Sequence, residues 1–186
     1  MDGDGLASAA QRPAIAVAVV IERERAPNAF EEWRFRILEV VPNEDAFGSA
    51  PRVLRDDGKV QRTLHPGFTV ELFRDQAQGY HLNLATGAPV WFVVWRVDDG
   101  DPSRAWPETV SVSYEEAGRW LDAQERVDNV PLPTEVAAWL QAYTDATYRP
   151  DRRPVVGDAI VYALVHRQVA RQHAAEITDG VVVVGR

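Results

Sequence analysis

The 186-residue chain has no cysteine, one methionine and, in Lys59, a single lysine. The missing cysteine excludes disulfides, a thiolate nucleophile, thiolate zinc sites and iron–sulfur clusters ligated by this chain. Long hydrophobic runs are missing too. The first apolar stretch, Ala14 to Ile21, is bounded by arginine and glutamate and is far short of the roughly 20 residues a membrane-spanning helix needs. Met1-Asp2-Gly3-Asp4-Gly5 is acidic where a secretory signal is basic, so the expectation is a cytoplasmic chain with no membrane span. Positive charge is scarce: the net charge of −8 argues against a partner that is a nucleic-acid backbone.

Several chemical signatures are also absent. No GxxxxGK or GxGxxG loop follows a strand, and no serine stands in a G-x-S-x-G elbow. The histidines, His65, His81, His166 and His173, form no HxH or HExxH pattern. His166 and His173 lie two helical turns apart, about 10 Å, too far to share a metal. His65 precedes Pro66 and reads as a solvated turn residue. Glu31-Glu32, Asp56-Asp57, Asp98-Asp99 and Glu115-Glu116 are adjacent pairs; neighbouring side chains diverge on strand or helix, so these read as surface or capping charges. No catalytic residue, metal site or cofactor is assigned.

What is present is a globular mixture, 46% hydrophobic and 26% charged, enough for a core without staples. Ile15, Val17, Val19 and Ile21 alternate on one strand face, and Trp33, Phe35 and Ile37 on another. Asp56-Asp57-Gly58 between Val53–Arg55 and Val60–Leu64 predicts a hairpin. Phe68–Arg74, Tyr80–Leu84 and Val90–Val97 predict a three-stranded meander, with Leu72 opposite Leu82 and Leu84 opposite Trp91. A strand over Thr109–Val112 leads into Ser113 and Glu116, a capping box opening a helix to about Gln124. Asp128–Pro133 reads as an extended connector, and Thr134 as the cap of a second helix to about Tyr148. The predicted class is α+β: a bent antiparallel sheet or partly open barrel of about seven or eight strands, followed by two helices. The domain spans 13–148, after a lead-in at 1–12. A linker at 149–156 follows, then a helix and β-prone tail over 157–186.

The meander register puts Glu71, His81 and Asn83 on one sheet face, where a carboxylate, a base and an amide could line a cup. The plain alternative is a polar, solvated face. Trp91 and Trp95 share the opposite strand face and read as core. If exposed beside Arg34, Arg36 or Arg96, they would suit a protein partner.

One linear pattern runs from Trp33-Arg34 and Val40-Val41-Pro42 through Tyr80-His81-Leu82-Asn83-Leu84 and Pro89-Val90-Trp91-Phe92-Val93-Val94. It continues in Ser113-Tyr114-Glu115-Glu116-Ala117, Trp120-Leu121-Asp122, Val127-Asp128-Asn129-Val130-Pro131 and Val136-Ala137-Ala138-Trp139-Leu140. Over residues 13–148 this resembles a proteobacterial family of uncharacterised small proteins usually encoded among formate dehydrogenase and molybdoenzyme-maturation genes. The resemblance implies a non-catalytic accessory or assembly factor that docks on an oxidoreductase subunit or maturation factor. Some members are labelled molybdopterin-guanine dinucleotide biosynthesis protein A, a nucleotidyltransferase. That activity needs a glycine-rich phosphate loop after the first strand, and Glu22-Arg23-Glu24-Arg25-Ala26-Pro27 has no glycine. The alternative expectation is a small-molecule binder or enzyme using Glu71, His81 and Asn83.

Overall fold

The structure is a computed structural model, and it describes residues 12–25 and 32–150. The apolar alternation of the first strand, β1 (Ala14–Arg25), organises the amino-terminal half. It pairs antiparallel with β2 (Trp33–Pro42) on one side and β4 (Val60–Glu71) on the other. The predicted hairpin is present: β3 (Arg52–Asp56) folds back on β4, with Asp56 opposite Gln61. The four strands form a sheet in the order β2-β1-β4-β3.

The predicted meander is not formed. Tyr80–Leu84 lies inside a helix, α1 (Ala77–Ala85). Alternation over only five residues fits either period, and Gly79–Ala85 contains no β-branched residue. In the helix Ala77, Tyr80 and Asn83 recur every third residue, and all three are buried. No strand therefore links the first sheet to the next, so the predicted continuous sheet or barrel is instead two sheets. The second takes the order β6-β5-β7 and contains β5 (Val90–Val97), β6 (Ala105–Ser111) and β7 (Val127–Pro131). β5 is central, as its apolar faces require. Its neighbours are β6 and β7, and the segment read as a connector from Asp128 is mostly strand. Pro107 and Pro131 sit on the two edge strands, where a missing N–H costs no ladder bond.

The two sheets share one core. Val17, Val19 and Ile21 of β1 and Ile37 and Val40 of β2 pack with Trp91 and Val93 of β5 and Val110 of β6. Helix α2 (Tyr114–Asp122) covers the other face of β5, where the Phe92 and Tyr114 rings meet edge to face at 6.1 Å. Ser113 caps it by accepting from Glu116 N–H. The returning half of the box is relayed: Ser111 Oγ donates to Glu116 and accepts from Ser113 N–H. Helix α3 (Thr134–Thr147) contributes Val136 and Leu140 to the core. Pro133, not Thr134, occupies its cap position. Among the described residues three α-helices are thus interleaved with the strands. The expected helix and tail beyond residue 156, with His166 and His173, lie outside the described residues, as does most of the expected linker and lead-in.

Asn83 ties these layers together. Its amide nitrogen donates to the carbonyls of Val90 and Val112 at 2.8 and 2.9 Å, and its oxygen accepts from Val90 N–H at 3.0 Å. One fully buried side chain thereby continues the β5 backbone ladder and holds α1 to the end of β6. Gly79 lets α1 approach α2: a Cβ there would stand 2.2 Å from Ser113 Oγ. Asn83→Leu keeps the branching of the side chain but leaves three backbone groups without their partner, the Val112 carbonyl among them fully buried. It should lower stability by about 3 kcal/mol or more in urea unfolding; a loss below about 1 kcal/mol would contradict this role.

Candidate functional site

The inner face of β1 changes character along its length. Beyond Ile21 the period-two positions are Arg23 and Arg25 rather than aliphatics. Across the ladder Arg23 faces Phe35 of β2 and Gln61 of β4, while Arg25 faces Trp33. The Arg23 guanidinium lies 4.4 Å over the Trp33 ring, and Nη1 donates to the Ser103 carbonyl at 2.7 Å. Ser103 belongs to the loop before β6, a turn shaped by the Asp98 and Asp101 carboxylates accepting backbone N–H bonds. Between this loop and the sheet opens a groove of about 280 Å³. Ile21, Phe35, Thr63 and His65 form its floor, and Arg104 and Trp106 its outer wall.

Two polar atoms of groove residues are buried without a hydrogen-bond partner, Arg23 Nε and His65 Nε2. His65 is 8% exposed, and burial pushes its imidazole down to about 4, so it is neutral at pH 7. The sequence reading of His65 as a solvated turn residue is therefore corrected. Pro66 does not end β4 but sits at an irregularity in its pairing with β1, where prolines are tolerated. Sequence reasoning also passed over Arg23, although the alternation from Ile15 already placed it on the inner face.

The structure does not gather Glu71, His81 and Asn83. Glu71 ends β4 exposed and pairs with Arg12 at 3.4 Å. His81 stacks on Tyr148, ring centroids 4.3 Å apart. Asn83 lies two helical positions on, about 200° around α1, with both ends of its amide engaged. Trp91 is 1% exposed and belongs to the core. Trp95 is half-buried against Phe35, with the Arg126 guanidinium 5.4 Å over its ring. Arg34 is exposed, on the edge strand β2. Arg36 is exposed but committed: with Arg62 it grips the buried Glu22 carboxylate, both Nε atoms donating at 2.7 Å. Burial raises the Glu22 pKa, but the two guanidinium bonds outweigh that and hold it below the usual range. Arg96 pairs with Glu108 and Glu125.

Among the described residues no three histidine or carboxylate side chains are grouped to hold a metal ion. None of their helices is long and apolar enough to cross a membrane. The architecture defines a mixed α/β protein built on two antiparallel sheets, with an arginine-lined groove at one end of its core. Residues 16–154 match a family of proteins of unknown function, DUF3305, and the chain belongs to that family. Neither the curated proteins nor the solved structures yield a match.

The lowered pKa of His65 sets a pH dependence. A folded-state value near 4, against an ordinary 6.5, means that unfolding takes up a proton in this window. The neutral form's contribution is whole above pH 6.5 and is lost as pH falls toward 4. Between pH 7 and 4.5 the wild type should lose about 2 kcal/mol more than His65→Gln, measured by urea unfolding at both pH values. Equal losses would place His65 in water.

Proposed function

We propose that this domain is a non-catalytic accessory protein that works by docking on a protein partner. The resemblance described above makes that partner a subunit of a molybdenum-dependent formate dehydrogenase or related oxidoreductase, or a factor that matures one. The supporting observation is β3. All five of its residues are exposed, and Val53 and Leu54 stand 53% and 48% open to solvent. Leu54 falls at a bulge between the Val53–Thr63 and Arg55–Arg62 pairs. A bulge re-aims side chains and blunts an edge against strand addition. Contact here is then made by side chains rather than by the open backbone edge. Arg52 and Arg55 flank the aliphatic pair, and arginine is among the residues enriched at protein interfaces. Arg34, exposed on the opposite edge strand, adds no demand of its own to this surface.

The test is a tagged full-length chain recovered from its host under formate-oxidising growth, with mass spectrometry and a reciprocal pull-down of any oxidoreductase subunit or maturation factor. Leu54→Asp should abolish that recovery while leaving the free energy of unfolding within about 0.5 kcal/mol of wild type. Recovery of no such protein, or recovery unchanged by Leu54→Asp, overturns the reading.

A further inference from the structure

A small ligand site is suggested by residues apart from the β3 docking edge. We propose that the groove between the inner face of the four-stranded sheet and β6 binds a small organic carboxylate. Arg23 and Arg104 would hold the anion, and Ile21, Phe35 and Trp106 would enclose an apolar body. The volume of about 280 Å³ lies at the lower limit of small-molecule pockets. It accommodates a single ring or short chain and is too small for a dinucleotide.

The hydrogen-bonding state of the groove residues points the same way. Among the described residues Arg23 donates through Nη1 to Ser103, while its Nε has no partner. The Trp33 ring beneath it and the Ser103 carbonyl beside it hold its guanidinium in place, so little side-chain entropy is lost on meeting an anion. Arg104 is exposed at the mouth, and its side chain makes no hydrogen bond among the described residues. At the other end His65, nine-tenths buried with Nε2 unpartnered, offers a neutral polar contact rather than a charge. The anionic end of a ligand therefore belongs with the arginines.

Charge and surface select among anions. The Asp101 carboxylate acts electrostatically on Arg104 and Arg23, and the Asp56 carboxylate on Arg23. They offset part of the arginine field, which disfavours a dianion such as phosphate and leaves room for a monoanion. Trp106, 39% exposed at the rim, supplies an aromatic wall for the apolar body.

The experiment titrates the full-length ¹⁵N-labelled chain with benzoate, with benzamide as its neutral isostere and with inorganic phosphate. Benzoate should shift the Ile21, Thr63 and Ala105 amides and the Trp106 indole N–H saturably. Benzamide and phosphate should bind at least about 10-fold more weakly, the worth of one charge-assisted contact. Arg104→Gln keeps the backbone bonds of residue 104 to Asp98 and Asp101 and should weaken benzoate by a similar factor. Trp106→Ala should weaken benzoate and benzamide alike. No saturable shift up to about 10 mM, equal binding of benzamide, preference for phosphate, or shifts centred elsewhere would each overturn the proposal. The docking reading is tested by Leu54→Asp, so either can fail alone.

Discussion

The carbonyls and N–H at the ends of β5 and β6 must be satisfied inside the protein, and the Asn83 side chain satisfies three of them. An unpaired amide in a dry interior is costly, so this one contact determines where α1 can sit. Once α1 is there, Gly79 brings it against Ser113, and Tyr80 reaches the turn leaving β4. The Tyr80 hydroxyl accepts from Phe73 N–H, while the Tyr143 hydroxyl of α3 donates to the Leu72 carbonyl. Burial raises the Tyr80 phenol to about 12, so it remains a neutral hydrogen-bonding group throughout the ordinary pH range. Two tyrosines on different helices thus complete the hydrogen bonding of one chain reversal.

A second buried polar arrangement works on the outer face of the four-stranded sheet. Glu22 stands directly across from Arg36 on one neighbour strand and Arg62 on the other. A lone buried carboxylate would disfavour the fold; one held by two guanidinium groups instead fixes register, because a one-residue slip would separate all three. Between the sheets the corresponding link is Asp128 of β7, whose carboxylate accepts from Ile37 N–H at 3.3 Å on the edge of β2. Burial pushes that carboxyl up, only partly opposed by the Ile37 bond.

β1 and β2 were legible because they are long, rich in valine and isoleucine, and closed by Pro42, and the β3 hairpin because Asp57-Gly58 marks its turn. β4 reads as two strands, Val60–Leu64 and Phe68–Arg74, because His65-Pro66 looks like a break that the folded strand runs through. The Ser113 cap was legible for a local reason: its partner is three residues away. Tyr80–Leu84 was not, because a five-residue window of leucines and polar residues carries no decisive period. Its placement is decided instead by Val112, 29 residues from Asn83. The grouping of Glu71, His81 and Asn83 went with it, since they share a face only if that segment is a strand. The groove at Arg23 was half-legible: the alternation aimed Arg23 inward, but the loop that closes over it comes 80 residues later. No local pattern contains that distance.

The division into two sheets also has a consequence for biosynthesis. All four strands of the first sheet lie before residue 72, whereas the strands that cover its inner face begin at Val90. A chain emerging from the ribosome can therefore complete one sheet while Val17, Val19, Ile21 and Ile37 still face water. At ordinary elongation rates of about 5–20 residues per second, that exposure lasts seconds, long enough for a nascent-chain chaperone to engage the bare surface before β5 arrives to cover it.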